Sequence, residues 1–182
     1  MSRIVTITSP GRGDTDLVLA RFAGHLAAHG IKARGVVQVN SETTPNHPCD
    51  MDVRVLPDGQ TLRISQNLGP AARGCRLDPS ALESAVAAVE NSMSEDVDVL
   101  IINKFGKHEA EGRGFRQVIA TAIARDIPVV VGLNALNTAA FQDFAGGLAQ
   151  PCAPDLDALI GWLSTESGHM IGGPGDRAVA TA

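Results

Sequence analysis

Thr8-Ser9-Pro10-Gly11-Arg12-Gly13-Asp14-Thr15 follows directly on the apolar run Ile4-Val5-Thr6-Ile7. It precedes a segment in which Leu19, Phe22, Ala23 and Leu26 recur at helical spacing. Strand, glycine-bearing turn and helix in that order aim backbone N–H groups and a helix N-terminus at a phosphate. Against the phosphate-loop pattern G-x-x-x-x-G-K-S/T, Gly13 and Thr15 match, Thr8 stands for the first glycine and Asp14 stands for the lysine; Gly11 lies in the same turn. The exchange at Asp14 reverses a charge, and two unit charges ~4 Å apart at an effective dielectric of ~20 interact by about 4 kcal/mol. The loop keeps a backbone suited to an anion and loses the side chain that would grip a triphosphate.

Outward from that loop, strand-like and helical patterns alternate, as in a parallel sheet covered by helices. Gly30 stops the first helix, and Ile31 to Val39 predicts a second strand. After a loop from Asn40 to Asp52, Arg54 to Leu56 and Thr61 to Ser65 flank Pro57-Asp58-Gly59-Gln60 and predict an inserted β-hairpin. Asn67 to Arg76 reads as a loop. Asp78-Pro79 then supplies an N-cap and a first-turn proline for a helix with Leu82, Val86, Val89 and Met93 on its inner stripe. Val97 to Asn103 is an apolar run suited to a strand buried on both faces. A loop from Lys104 to Gly112, a helix from Gly114 to Arg125, a strand from Pro128 to Gly132 and short helices at Thr138 to Phe144 and Asp155 to Leu163 complete the pattern. The expected architecture is a three-layer α/β sandwich with a mainly parallel sheet: one domain over residues 1–165, followed by a Gly/Pro/Ala-rich tail over 166–182.

A chain of 182 residues is long enough for one core and short for two. The net charge of -5 and an aromatic content of 3%, with no tyrosine, argue against a nucleic-acid binder, which needs clustered cations and stacking platforms. No run approaches the ~20 apolar residues of a membrane span, and the N-terminal segment enters a strand pattern without a signal-peptide profile, so the cytoplasm is the expected location. Cys49, Cys75 and Cys152 are too widely spaced to read as a disulfide framework. His47, Cys49, Asp50 and Asp52 lie close in sequence, and Cys75 sits in a second glycine-rich loop, so Cys49 and Cys75 are the candidates for a soft metal site.

A buried strand that ends in Asp, followed by Glu, orders magnesium and the attacking water in phosphate-loop hydrolases. Here Val99-Leu100-Ile101-Ile102 ends in Asn103-Lys104, and both carboxylates are missing. The following Phe105-Gly106-Lys107-His108-Glu109-Ala110-Glu111-Gly112-Arg113-Gly114-Phe115, with Cys49-Asp50-Met51-Asp52 and the segment from Ile64 to Asp78, resembles a bacterial family of unknown function. That family is often encoded near molybdate-transport genes and is distantly similar to small P-loop nucleoside-triphosphatases. In those relatives a strand ends in Asp-Glu and continues Ile-Gly-Lys-Met-Glu. Asn103 and Lys104 fall on the acidic pair, while Gly106, Lys107 and Glu109 are retained.

These readings converge on a P-loop-like protein with a degenerate phosphate loop. It is expected to bind a small phosphate-like ligand or oxyanion, nucleotide or molybdate, without efficient hydrolysis and without magnesium, in an accessory role in molybdenum metabolism. Gly11, Gly13, Asp14, Thr15, Arg73, Arg76, Asn103, Lys104, Lys107 and Arg113 are the expected ligand residues, because planar Arg forks and Lys suit oxyanions. Asp14 and Lys104 also invite a charge pair, if their loops neighbour each other. Two other chemistries stay open. A hydrolase would recruit Glu109, Glu111 or His108 as catalytic groups, and a metal-handling protein would use Cys49 and Cys75. Self-association is compatible with the composition.

Overall fold

The computed structural model describes residues 3–11, 13–41, 50–66, 77–94, 96–168 and 170–173. Seven strands, β1 (Ile4–Ile7), β2 (Ala33–Ser41), β3 (Asp50–Val55), β4 (Thr61–Arg63), β5 (Val99–Phe105), β6 (Val129–Leu133) and β7 (Ala149–Pro151), form one sheet in the order β4-β3-β2-β5-β6-β1-β7. The contacts β2–β5, β5–β6, β6–β1 and β1–β7 are parallel, whereas β3 and β4 run antiparallel. The expected hairpin is therefore an extension of the main sheet. Asp52 on β3 faces Arg63 on β4 in a 3.0 Å ion pair across that extension.

Helices α1 (Asp14–Ala28), α2 (Pro79–Ser92), α3 (Lys107–Ala110), α4 (Arg116–Ala124), α5 (Thr138–Ala145) and α6 (Leu156–Ser167) supply the outer layers. Alternation along the strands sorts the core into two halves. Val99 and Ile101 of β5 and Val130 of β6 pack with Leu19, Phe22 and Leu26 of α1 and with Leu159 and Leu163 of α6. Leu100, Ile102, Val129 and Val131 pack against Leu82, Val86 and Val89 of α2, Val118 and Ile119 of α4 and Phe141 of α5. Each fully buried side chain of this size is worth about 1.5–3 kcal/mol of transfer free energy.

The Asp78-Pro79 signal holds. The Asp78 carboxylate accepts from the backbone N–H groups of Ser80 and Ala81, at 2.9 and 3.2 Å. Three local expectations change. Residues 107–110, expected as loop, form the single turn α3. Residues 149–151 pair with β1 as an edge strand that ends in Pro151, a residue compatible with an edge because it needs no ladder donor. The last helix runs to Ser167, and Ile171 beyond it is buried against the α1 side with its N–H on Ser164 Oγ at 3.1 Å, so the body continues past residue 165. Among the described residues, no helix is long and apolar enough to cross a membrane.

Strand order sets where a ligand can lie. The chain leaves β1 into α1 on one face of the sheet and leaves β6 toward α5 on the other. Adjacent parallel strands whose following segments diverge leave a crevice at their carboxyl ends, the usual ligand position in open α/β sheets.

Candidate functional site

The crevice is floored by a residue that the sequence reading did not single out. Gly132, near the end of β6, stands in register with Ile7 of β1 on one side and Asn103 of β5 on the other. Its missing side chain would project toward α1, where a Cβ would lie 3.1 Å from Leu19 Cδ1, 3.2 Å from Thr15 Cγ2 and 3.4 Å from Asn103 Oδ1. Glycine there lets the first turn of α1 settle over the strand ends and brings Thr15 and Asn103 to one spot. Only the strand order reveals this, since nothing local in Val129-Val130-Val131-Gly132 does.

Asn103 is 3% exposed, and neither its amide nitrogen nor its carbonyl oxygen has a hydrogen-bond partner. Buried side-chain amides are almost always bonded, and an orphaned one costs about 1–3 kcal/mol. The strand is irregular at this point: its register with β6 shifts between Asn103 and Phe105, leaving Lys104 exposed and returning Phe105 to the α2–α4 side.

On α1, Gly13 occupies the N-cap position in a left-handed conformation, φ 84°, with no side-chain cap. Thr15 Oγ1 accepts from the Ser9 N–H at 3.2 Å and closes the loop. Asp14 is exposed, and its carboxylate folds back over Gly11, close enough that a Cβ on Gly11 would collide with it. Asp14 and the buried Asp16 both occupy the first turn, where carboxylates stabilise the positive end of the helix dipole.

The expected Asp14–Lys104 pair is not formed, because β6 lies between β1 and β5. Two strand spacings of about 4.8 Å put the ends of β1 and β5 on the order of 10 Å apart. Additive effects of Asp14→Lys and Lys104→Glu, within ~0.5 kcal/mol in a double-mutant cycle by denaturant unfolding, are the expected result. A coupling above ~1 kcal/mol would restore the pair.

The segment after β5 is laced together from inside. Glu109, 3% exposed, accepts from the Gly106 N–H at 2.9 Å through Oε2 and from the Phe115 N–H at 3.2 Å through Oε1. Its backbone carbonyl takes Arg116 Nη1 at 3.4 Å, and that guanidinium lies 4.5 Å from the centroid of the Phe144 ring. Gly114, φ 59°, has to lack a side chain because a Cβ would overlap Glu109 Oε1. His108, also buried, places Nε2 3.0 Å from Glu83 Oε1 of α2, and the same oxygen accepts from the Gly114 N–H at 3.1 Å. Glu83 is the partner that the sequence reading missed; it lies 25 residues from His108 and bears no motif.

The cations of this segment do not converge on the crevice. Lys107 lies 3.7 Å and Arg113 2.8 Å from Glu111, all three on the outer surface. The Arg113 hydrogen bond, with Lys107 close by, holds the Glu111 carboxyl below its ordinary value. An open groove of about 770 Å³ between α2 and α4 is lined by Glu83, His108, Arg113, Arg116 and Phe144, and by none of the crevice residues. Arg73, Arg76, Cys49 and Cys75 lie outside the described residues. Cys152, packed against the α1–α6 core, has its thiol value raised by burial and by the nearby Asp155.

Comparisons with known proteins agree with this architecture. The crystal structure of THEP1 from the hyperthermophile Aquifex aeolicus superimposes with a TM-score of 0.55 over 84% of this chain and 88% of that one, at 17% identity. The likeness establishes the fold alone, a mainly parallel α/β sheet covered by helices and P-loop-like in its arrangement. The molybdenum import ATP-binding protein ModC 2 of Bradyrhizobium diazoefficiens is 34% identical over 169 residues, 93% of this chain. The match spans only 19% of that protein's length. The model of the family described as protein of unknown function DUF2478 matches residues 4–162, and the chain belongs to that family.

Proposed function

We propose that this protein binds a small phosphate-like ligand or oxyanion, nucleotide or molybdate, at the carboxyl ends of β1, β5 and β6, and does not hydrolyse it. The observation that carries this reading is the buried, partnerless amide of Asn103 beside Thr15, over the bare backbone of Gly132. A polar group so placed is left to be satisfied by something that enters the crevice, with its N–H donating to an oxygen of the ligand. The loss of hydrolysis rests on what stands at three positions: Asp14 for the phosphate lysine, and Asn103-Lys104 for the acidic pair. Glu109 is engaged instead with the backbone N–H groups of Gly106 and Phe115.

An accessory role in molybdenum import is supported by the relative named for that process, which carries a segment 34% identical to this chain within a longer polypeptide. Calorimetric titration with ATP, GTP, molybdate and tungstate, with and without magnesium, tests the ligand, and phosphate release tests hydrolysis. Binding of at least one probe without turnover is the expected result. Magnesium-dependent hydrolysis near about 1 per second, an ordinary enzyme rate, would overturn it, as would the failure of all four probes to bind.

A further inference from the structure

The phosphate loop already holds an anion of its own. Asp14 opens α1, a helix of 15 residues, and its carboxylate, though exposed, lies over the Gly11 backbone. The Asp14 N–H, 3.4 Å from the Gly11 carbonyl, draws the loop into a tight turn. Its place in the first turn of α1 sets it in the field of the positive end of the helix. A second polar group lies at the same end of α1: the Asn103 amide, 3% exposed and without a partner, packs beside Gly132 and Thr15.

We infer that the Asp14 carboxylate is a built-in occupant of the loop, which an incoming small oxyanion has to displace before it can reach Asn103. The inference rests on the proposed anion-binding reading and adds its control. Asp14 and the buried Asp16 already set two carboxylates in the first turn, and a further anion comes against their repulsion at short range, of which Asp14, on the loop side, is the part that can move aside. The resident carboxylate therefore sets a threshold. Weakly held anions are turned away, and the oxyanion that succeeds bonds to a neutral amide, which requires no divalent cation as a bridge.

Molybdate and inorganic phosphate titrated by calorimetry into the wild type, Asp14→Asn, and Asp14→Asn combined with Asn103→Leu, in magnesium-free buffer, test this. Asparagine keeps the shape and capping ability of aspartate at the helix start, and thermal melts verify that each variant is folded. Asp14→Asn should tighten binding of at least one probe by about tenfold, equivalent to about 1.4 kcal/mol. Adding Asn103→Leu should abolish the gain. Equal or weaker binding by Asp14→Asn, with the wild type still binding, overturns the resident-anion inference and leaves the proposed function standing. A gain that survives Asn103→Leu places the oxyanion elsewhere and also overturns the inference. Absence of binding by wild type and variants alike removes both.

Discussion

Asn103→Leu should make the protein more stable, by about 1–2 kcal/mol, while removing its ability to hold a ligand in the crevice. The expectation runs against the usual outcome of core substitution, in which most changes destabilise. Its cause is the pair of amide atoms that the folded protein buries and leaves unbonded. Leucine has the same branching as asparagine, needs no partner, and joins a neighbourhood that already contains Leu19 and the methyl group of Thr15. The gain is read from the midpoint and slope of urea unfolding, and the loss from calorimetry. A loss of stability of similar size would show that the amide is satisfied in solution, and the case for a ligand at this point would fall with it. Cost to stability at a position kept for binding is a known signature of functional sites.

Glu109→Ala should have the opposite sign, costing about 2–4 kcal/mol. Truncation leaves the N–H groups of Gly106 and Phe115 without their acceptor, and Phe115 is 1% exposed, so water cannot easily replace the carboxylate there. Glu109→Gln should fall between, since the remaining amide oxygen can serve one of the two donors. The pair separates structure from catalysis. If Glu109 ordered a metal for hydrolysis, Glu109→Gln would abolish phosphate release with stability unchanged. A cost below about 1 kcal/mol for the alanine variant would contradict the structural role.

What the sequence made legible was chemistry expressed locally. Asp78-Pro79 announces a helix start because a cap and a first-turn proline are adjacent by definition, and α2 begins there. Val99 to Ile102 announces a doubly buried strand through unbroken apolarity, and all four are fully buried. The departures from the phosphate-loop pattern were visible because Asp14 and Asn103-Lys104 occupy fixed offsets within short motifs. What stayed hidden depends on which strand lies beside which. No local pattern tells that β6 separates β1 from β5, so the charge exchange between Asp14 and Lys104 looked like a contact. For the same reason Gly132 passed as one more residue of an apolar strand, although its place between Ile7 and Asn103 shapes the crevice. Glu83 was obscure for another reason: a carboxylate reaching across to a backbone N–H has no periodicity, and although Glu109 stood out as a candidate catalytic group, its bonds to the Gly106 and Phe115 N–H groups did not.

The register shift at the end of β5 gives the strand two allegiances within three residues. Asn103 belongs to the crevice, Lys104 to solvent and Phe105 to the aromatic cluster it forms with Phe141 and Phe144, whose ring centroids lie 5.0 and 5.8 Å from its own. The end of β5 thus ties a buried amide on one face of the sheet to the aromatic cluster that seats α5 on the other, with the exposed Lys104 between them.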